Sequence, residues 1–219
     1  MYDLKLQIGF IMIGGALMLA LLGLGIAVIM PGIDRWSKRF FAVYFLILAL
    51  YISFALAEEF SYLYPPKKSA LMVFMYFDSL FPSALMPLMT VYLLHCSREN
   101  WSDSPLFRAV AALWLGFFTM LNMTPFTTWF YYVTPENQFC RGPLYPLMIG
   151  VLFAITVVNL IGVIRRRNRL SRRYYFAFLT GVLPMTIAMS IHFFVSVFGL
   201  FALSIVIGAL SMFSIIMSD

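Results

Sequence analysis

Three carboxylates lie close together in an otherwise apolar part of the sequence. Glu58 and Glu59 are adjacent in the stretch ALAEEFSYLYPPKKSALMVFMYFDSLFP, and Asp78 follows near its end. Carboxyl groups among apolar residues are costly unless they share a proton, bind a cation or pair with a basic side chain. The pattern predicts either a binding site for a proton, a cation, an amine or a peptide end, or a hydrogen-bonded carboxyl pair that only stabilises the fold.

The composition indicates which solvent surrounds these residues. The chain is 63% apolar and 11% charged, with a mean hydropathy of +0.92, whereas the surface of a soluble domain is far more polar. Apolar runs of about 18 or more residues recur, and helices of that length cross a bilayer. The sequence therefore predicts an all-α polytopic membrane protein, with one domain of seven spans over residues 1–219, at about 8–30, 40–60, 70–95, 107–133, 146–164, 174–195 and 200–217.

The second and third spans determine how the carboxylates are placed. They form a predicted antiparallel hairpin that turns at residues 65–68, and the midpoint between Glu58 and Asp78 falls in this turn. Residues equidistant from a turn lie at the same depth, so we expect Glu58 and Asp78 to be neighbours about 9–12 Å below the helix ends. Glu59 is rotated about 100° from Glu58, so we expect Glu58 to face inward and Glu59 to reach for the membrane interface.

Prolines in the predicted spans are candidate conformational hinges, because each lacks the N–H that would bond the carbonyl four residues earlier. They are Pro82, Pro87, Pro125 and Pro184. Pro82 frees the carbonyl of Asp78 itself. Asn122 and His192 are further candidate ligand-binding residues, the first beside a carbonyl freed by Pro125 and the second near the outer end of the sixth span. Prolines are also common in membrane helices for structural reasons alone, so both interpretations stay open.

Basic residues predict the orientation, because Lys and Arg are retained on the cytoplasmic side. With the N-terminus outside, the inner segments hold eleven of the basic residues and the outer segments hold four. The run IRRRNRLSRRYY, between the fifth and sixth spans, indicates a topology signal and contact with anionic lipid headgroups rather than with nucleic acid. The sequence therefore predicts an outside N-terminus and a cytoplasmic C-terminus.

Motifs of membrane enzymes are incomplete or absent in the sequence. The Glu58-Glu59 pair begins like the EExxxR motif of intramembrane prenyl-protein proteases, but Leu63 replaces the arginine and no FxxxH follows. Neither GxSxG nor HExxH spacing occurs. His95 and His192 are predicted at opposite ends of their spans, so no metal site is expected. We expect neither catalysis nor a cofactor within these residues.

The last span, IVIGALSMFSIIMSD, ends the sequence on the predicted cytoplasmic side. Together with the Arg-rich loop before the sixth span and the seven-span plan, it resembles the N-terminal seven-helix membrane region of bacterial sensor histidine kinases. The resemblance covers all 219 residues in architecture. It implies a sensory input domain in the cell membrane, whose seventh helix continues into a cytoplasmic dimerisation and kinase module expected after Asp219. No site residue of that family is carried over.

The resemblance also implies the partners. An extracellular or membrane stimulus, such as an unknown small ligand, would alter helix packing in the bilayer, and the seventh helix would relay the change to a homodimeric kinase. That kinase module would use ATP and magnesium and transfer phosphate to a response regulator. Two alternatives remain: a small secondary transporter or channel with a carboxylate-lined site, and a receptor with another output, such as a nucleotide cyclase.

Overall fold

Seven α-helices and one short β-hairpin form the part of the chain that the computed structural model describes, residues 2–31, 34–63, 68–134, 138–194 and 199–218. Within these ranges, the side chains of residues 2–6, 62–63 and 192–194 are not described. The helices are α1 (Tyr2–Ile29), α2 (Arg35–Leu63), α3 (Lys68–Cys96), α4 (Pro105–Met123), α5 (Tyr145–Arg165), α6 (Arg172–Phe194) and α7 (Leu200–Met217). The predicted number and order of helices is therefore confirmed.

The helices form a closed ring in chain order. Each helix packs on the next one along the chain, and α1 closes the ring against α7. Two pairs of helices that are not consecutive are also in contact, α3 with α5 and α2 with α7. These contacts lie in the interior of the bundle. Chain direction alternates from each helix to the next along the chain, and α1 and α7 run parallel where the ring closes, so the bundle has two ends. We call them the arginine end, which carries residues 165–173, and the hairpin end, which carries the β-hairpin.

The outer surface of the bundle is largely apolar. All seven helices contain a stretch long and apolar enough to cross a membrane, with mean hydropathies of 1.4 to 2.7. Large side chains such as Ile11, Met18 and Leu22 point outward and are exposed. A soluble protein rarely exposes so continuous an apolar surface, whereas a lipid-facing surface requires it.

Aromatic side chains fill the core between α2, α3, α6 and α7. Phe41, Phe45 and Phe213 pack edge to face in this core, a favourable geometry for aromatic rings. Near the arginine end, the rings of Trp36, Phe40, Tyr92 and His95 are nearly parallel, and the His95 and Trp36 centroids are 3.9 Å apart. This stack joins the start of α2 to the end of α3.

The fourth predicted span, 107–133, is too long. α4 ends at Met123, and a 3₁₀ turn follows at Thr124–Phe126. β1 (Tyr131–Val133) then pairs antiparallel with β2 (Phe139–Arg141), with Tyr132 opposite Cys140. The run from 127 to 133 is rich in β-branched and aromatic residues, which favour strands, and hydropathy alone does not separate such a run from a helix.

Pro125 was predicted as a hinge within a helix, and this prediction is wrong. It lies in the 3₁₀ turn after α4. Pro82 and Pro87 lie inside α3, and Pro184 lies inside α6, as predicted. Gly199, which lies between the predicted sixth and seventh spans, has a φ of 74° directly before α7. Glycine adopts this left-handed conformation without the steric cost that other residues carry.

An ion-pair cluster joins two loops at the arginine end. The Glu99 carboxylate accepts hydrogen bonds from Arg166 Nη2 and Arg169 Nη1, both at 2.7 Å. Arg166 Nε donates a further bond to Glu99 at 3.1 Å, which makes the Arg166 contact bidentate. The cluster links the segment after α3 to the segment between α5 and α6.

α6 and α7 are held together along their length. The Arg173 guanidinium donates to the carbonyl oxygens of Ile215, at 2.7 Å, and of Ile216, so it caps the last turn of α7. Halfway along, a Cβ added to Gly208 would lie 2.8 Å from the Gly181 carbonyl oxygen. Small residues allow this close approach of two helix backbones. α7 is therefore closely packed against α6.

Candidate functional site

A cavity of about 320 Å³ lies toward the hairpin end of the bundle. All seven helices and both strands contribute to its wall, so its shape depends on how the whole ring is packed. Its polar and aromatic lining residues are Tyr51, Glu58, Glu59, Asp78, Ser79, Phe117, Tyr131, Phe139, Arg141, Tyr145 and Phe201. The volume is at the lower end of the range for small-molecule sites, about 300–1,000 Å³.

The acidic side of the cavity comes from α2 and α3. Tyr51, Ala55 and Glu58 are spaced by four and three residues, which places them on one face of α2. Asp78 and Pro82 follow the same spacing on α3. The structure thus brings Glu58 and Asp78 to one cavity. They were expected to be neighbours because both are equidistant from the predicted turn at residues 65–68 between the second and third spans.

Glu59 also lines the cavity, and the expectation that it reaches for the membrane interface is wrong. Its side chain is 7% exposed, whereas Glu58 is half-buried. Two adjacent helical residues differ by about 100° in direction, but a cavity that spans the gap from α1 and α7 to α3 borders both directions. Glu58, Glu59 and Asp78 therefore form one carboxylate group of three.

These three carboxylates lack a basic partner in the described part of the chain. The ion pairs found there both belong to Glu99, at the other end of the bundle. Arg141 lines the cavity, but its guanidinium lies 5.0 Å from the centroid of the Tyr145 ring in a cation–π contact. Lys68 is exposed, and Lys67 lies outside the described residues. The wall thus carries three acidic groups and one basic group.

Tyr131, from β1, contributes a buried hydroxyl. Its side chain is 2% exposed, and the hydroxyl has no hydrogen-bond partner among the described groups. The Ser79 side chain lies beside it, but the two do not meet hydrogen-bond geometry. Burial, followed by the nearby Glu58 and Asp78 carboxyl groups, raises the pKa of the Tyr131 phenol, so it stays protonated. A buried hydroxyl without a partner is energetically unfavourable unless a ligand or water satisfies it.

Pro82 adds a second polar feature to the wall. It is buried and lines the cavity, one turn along α3 from Asp78. Because proline has no N–H, the Asp78 carbonyl lacks its usual helical donor. The backbone and the side chain of Asp78 therefore both present oxygen acceptors near the cavity.

Other predicted residues lie elsewhere. Asn122 is exposed on α4, where its Oδ1 accepts a hydrogen bond from the Tyr76 hydroxyl at 3.1 Å and its Nδ2 donates to the Phe118 carbonyl. It does not line the cavity. The His192 side chain lies outside the described residues.

A second buried polar group lies further toward the arginine end. Thr90 Oγ1, on α3, donates to Asn159 Oδ1, on α5, at 2.6 Å. Asn159 is 2% exposed, and its Nδ2 has no partner among the described groups. Leu152, which lines the cavity, is two turns before Asn159 on the same face of α5.

The sequence prediction misses one hairpin residue of the site, Tyr131, because it places residues 127–133 in a span. Arg141 is placed in an outer loop, from which it is one of the basic residues, with Lys67 and Lys68, that could fold onto the carboxyl pair. The clustering of threonine, tryptophan, phenylalanine, tyrosine and valine in 127–133, followed by Gly142-Pro143, is the strand and turn signal that indicates the hairpin.

The fold and the cavity together define the chain as a seven-helix bundle with an acidic and aromatic internal site. No protein-family model, curated protein or solved structure matches it. Within the described part of the chain, no group of three or more His, Cys, Asp and Glu residues is arranged to hold a metal ion.

Proposed function

We propose that this chain is the membrane-embedded sensory input domain of a bacterial two-component sensor histidine kinase. In this proposal a small ligand enters the cavity from outside the cell, and α7 relays the change in helix packing to a cytoplasmic kinase module. The module follows Asp219, acts as a homodimer, uses ATP and magnesium, and transfers phosphate to a response regulator.

The placement in the cell membrane rests on the apolar outer surface and on the distribution of charge. In the described part of the chain, eleven basic residues lie at or near the arginine end, and three lie toward the hairpin end. Positive residues are retained on the cytoplasmic side, so the cavity opens outward and both the N-terminus and the hairpin face the exterior.

The single observation that carries the sensory role is the path of α7. Its first turn lines the cavity through Phe201 and Ala202, and its last turn is bound by Arg173 at the arginine end. A helix of 18 residues spans about 27 Å. The bundle would have two conformations that differ in helix packing. A ligand that binds one conformation more tightly would shift the equilibrium toward it, and α7 would move at both ends.

The codons that follow Asp219 provide the first test. We expect them to encode a helical dimerisation segment and an ATP-binding kinase module. A stop codon at that point would contradict the kinase output.

The second test changes the charge of the cavity. In the polypeptide that includes the kinase module, we expect Glu58→Gln with Asp78→Asn to shift the autophosphorylation set-point by about threefold or more, since one hydrogen bond is worth about 1 kcal/mol. Membrane abundance should stay unchanged. Asp103→Asn, an exposed carboxylate at the arginine end, is the matched control. Wild-type response curves from the double variant would refute the sensory role of the pair.

A small transporter or channel is the second candidate. The observation that favours it is the Thr90–Asn159 pair beyond the cavity, with a buried amide donor that has no described partner. Such a group can mark a path through the bundle. Flux of a cavity ligand into proteoliposomes would support transport, and it should fall on Asn159→Leu substitution.

A further inference from the structure

The spacing of the carboxylates determines which kind of cation the cavity can take. Glu58, Glu59 and Asp78 border a space of about 320 Å³ and, in the described part of the chain, do not converge as metal ligands. A bare metal ion needs oxygen ligands at about 2–2.6 Å around a single point. Carboxylates distributed around a cavity instead suit a cation with several N–H donors on a larger body.

The charge of the wall favours a cation over a neutral or anionic ligand. Three carboxylates face one guanidinium, and Arg141 already stacks on Tyr145. Carboxylates away from bulk water are stabilised when a positive group lies between them. An incoming ammonium group would supply that charge.

The rest of the wall is aromatic and apolar. Phe117, Phe139 and Phe201 line the cavity with Tyr51 and Tyr145. Aromatic rings bind cations on their faces and also bury apolar groups. A small inorganic cation would leave this surface unused, whereas an organic cation with an apolar body would cover it.

The Tyr131 hydroxyl gives an independent indication of a ligand. It is buried, lines the cavity and has no partner among the described groups. A hydroxyl oxygen accepts a hydrogen bond from an N–H group. A primary ammonium group has three such donors, enough to reach a carboxylate, the hydroxyl and a further acceptor together.

We propose that the cavity binds a small organic ammonium ion, a primary amine attached to an apolar or aromatic body, with the amine held by Glu58, Glu59, Asp78 and Tyr131. This inference deepens the proposed sensory function, on which it rests, by assigning the chemical class of the ligand. Binding is measurable without any kinase output, so the two proposals fail separately.

The test uses the full 219-residue chain in nanodiscs of phosphatidylcholine and phosphatidylglycerol, with phenethylamine as the probe. 2-Phenylethanol, 3-phenylpropionate and magnesium chloride are the neutral, anionic and metal comparisons. We expect saturable binding of phenethylamine by calorimetry, at least about tenfold tighter than binding of the alcohol. A charge-assisted contact discriminates by this amount.

Substitutions then locate the site. We expect Asp78→Asn to weaken phenethylamine binding about tenfold or more, and Tyr131→Phe, which removes only the hydroxyl, about fivefold. Asp103→Asn should leave the Kd unchanged. Thermal unfolding of each variant is measured in parallel, and Tyr131→Phe serves as the decisive variant if Asp78→Asn does not fold.

Four results would overturn the proposal. The first three are absence of saturable phenethylamine binding, equal affinity for phenethylamine and 2-phenylethanol, and an unchanged Kd in folded Tyr131→Phe. The fourth is magnesium that competes with the amine at equal concentration, which would assign the site to a metal. Amine binding without any change in kinase output would uphold the ligand class and refute the sensory role.

Discussion

Tyr131 illustrates what a single residue adds to the cavity. The three acids give the wall its charge, but acids alone do not define a ligand, because they can also pair with each other by sharing protons. The Tyr131 hydroxyl, buried and without a described partner, adds an acceptor at a fixed position from a different element. A ligand that satisfies all of these groups must therefore span carboxylates on α2 and α3 and a hydroxyl on β1.

At the arginine end, Glu99 should make stability depend on pH. Hydrogen bonds from Arg166, partly opposed by burial, hold the pKa of Glu99 below its ordinary value of 4.5. A lowered folded-state pKa gives stabilisation that is present above the ordinary pKa and is lost as the pH falls through the folded-state value. We expect Glu99→Gln to lower the free energy of unfolding at pH 7 by up to about 1 kcal/mol.

The measurement is thermal unfolding of wild type and Glu99→Gln from pH 7 downward. The difference in Tm should close below about pH 4.5, where the wild-type carboxylate becomes protonated. Asp103→Asn, whose carboxylate contacts only Asn100 in the described part of the chain, should match the wild type throughout. A constant difference across the pH range would show that the ion pairs do not contribute.

The positions of individual residues could be predicted only in part. The pairing of Glu58 with Asp78 follows from a turn and a helical rise, both of which are readable from sequence. Whether Glu59 faces the cavity cannot be read from the sequence, because this depends on the width of a cavity formed by helices distant in the chain. Tyr131 depends on the hairpin and is missed with it, whereas Arg141 is expected only as a loop residue that could fold onto the carboxyl pair.

The β-hairpin is the element that completes the cavity wall. Gly142 N donates to the Phe130 carbonyl at 2.8 Å, and Leu144 N donates to the Trp129 carbonyl at 2.7 Å, so the end of the hairpin is fixed to the start of α5. A Cβ on Gly142 would lie 2.3 Å from the carbonyl oxygens of Thr128 and Trp129. Backbone atoms at this distance cannot move aside as a flexible side chain can.

We therefore expect Gly142→Ala to destabilise the chain by about 1–3 kcal/mol, the usual cost of overpacking. It should also weaken ligand binding in the cavity, since Tyr131 and Arg141 are displaced. Gly150→Ala, where an added Cβ meets nothing within 4 Å, is the matched control and should be neutral or stabilising. Calorimetric unfolding of both variants checks this, and equal Tm values would contradict it.

Helices and strands differed in how well the sequence predicted them. Long apolar runs between charged or proline-containing segments predict most of the helices, because crossing a bilayer requires about 20 such residues. The sixth and seventh helices are separated in the prediction because the uncharged run over 174–217 is too long for one span. The hairpin is too short for periodicity to reveal, and its strands have only three residues each. Its first strand continues the uncharged run that follows Arg108, which extended the predicted fourth span.

At the scale of the whole molecule, the cavity depends on the ring of helices, because every helix contributes to its wall. Sequential packing of helices joined by short loops is expected from sequence, but closure of α1 onto α7 is not, because nothing local links them. A Cβ on Gly199 would lie 3.2 Å from the Met12 Cβ in α1. The contact brings the start of α7 to α1 beside the cavity.

The two cysteines provide a test of the proposed orientation. Cys96 ends α3 at the arginine end, and Cys140 lies in β2 at the hairpin end. Both are free and half-buried. We expect a membrane-impermeant maleimide to label Cys140 but not Cys96 in intact cells, because the hairpin faces outward in the proposed orientation.

Single variants assign the labels. Cys96→Ser should be labelled like the wild type, and Cys140→Ser should react only after the cells are permeabilised. Labelling of Cys140→Ser in intact cells, with loss of labelling in Cys96→Ser, would reverse the proposed topology.

The parallel aromatic stack at the start of α2 gives this protein an intrinsic fluorescence reporter, Trp36. The His95 ring lies 3.9 Å from the Trp36 ring, close enough for the imidazole to quench indole fluorescence. Trp36 belongs to α2 and His95 to α3, so any separation of these two helices changes the emission. In a variant that retains Trp36 as its one tryptophan among the four, emission intensity reports in real time whether an event in the cavity reaches the opposite end.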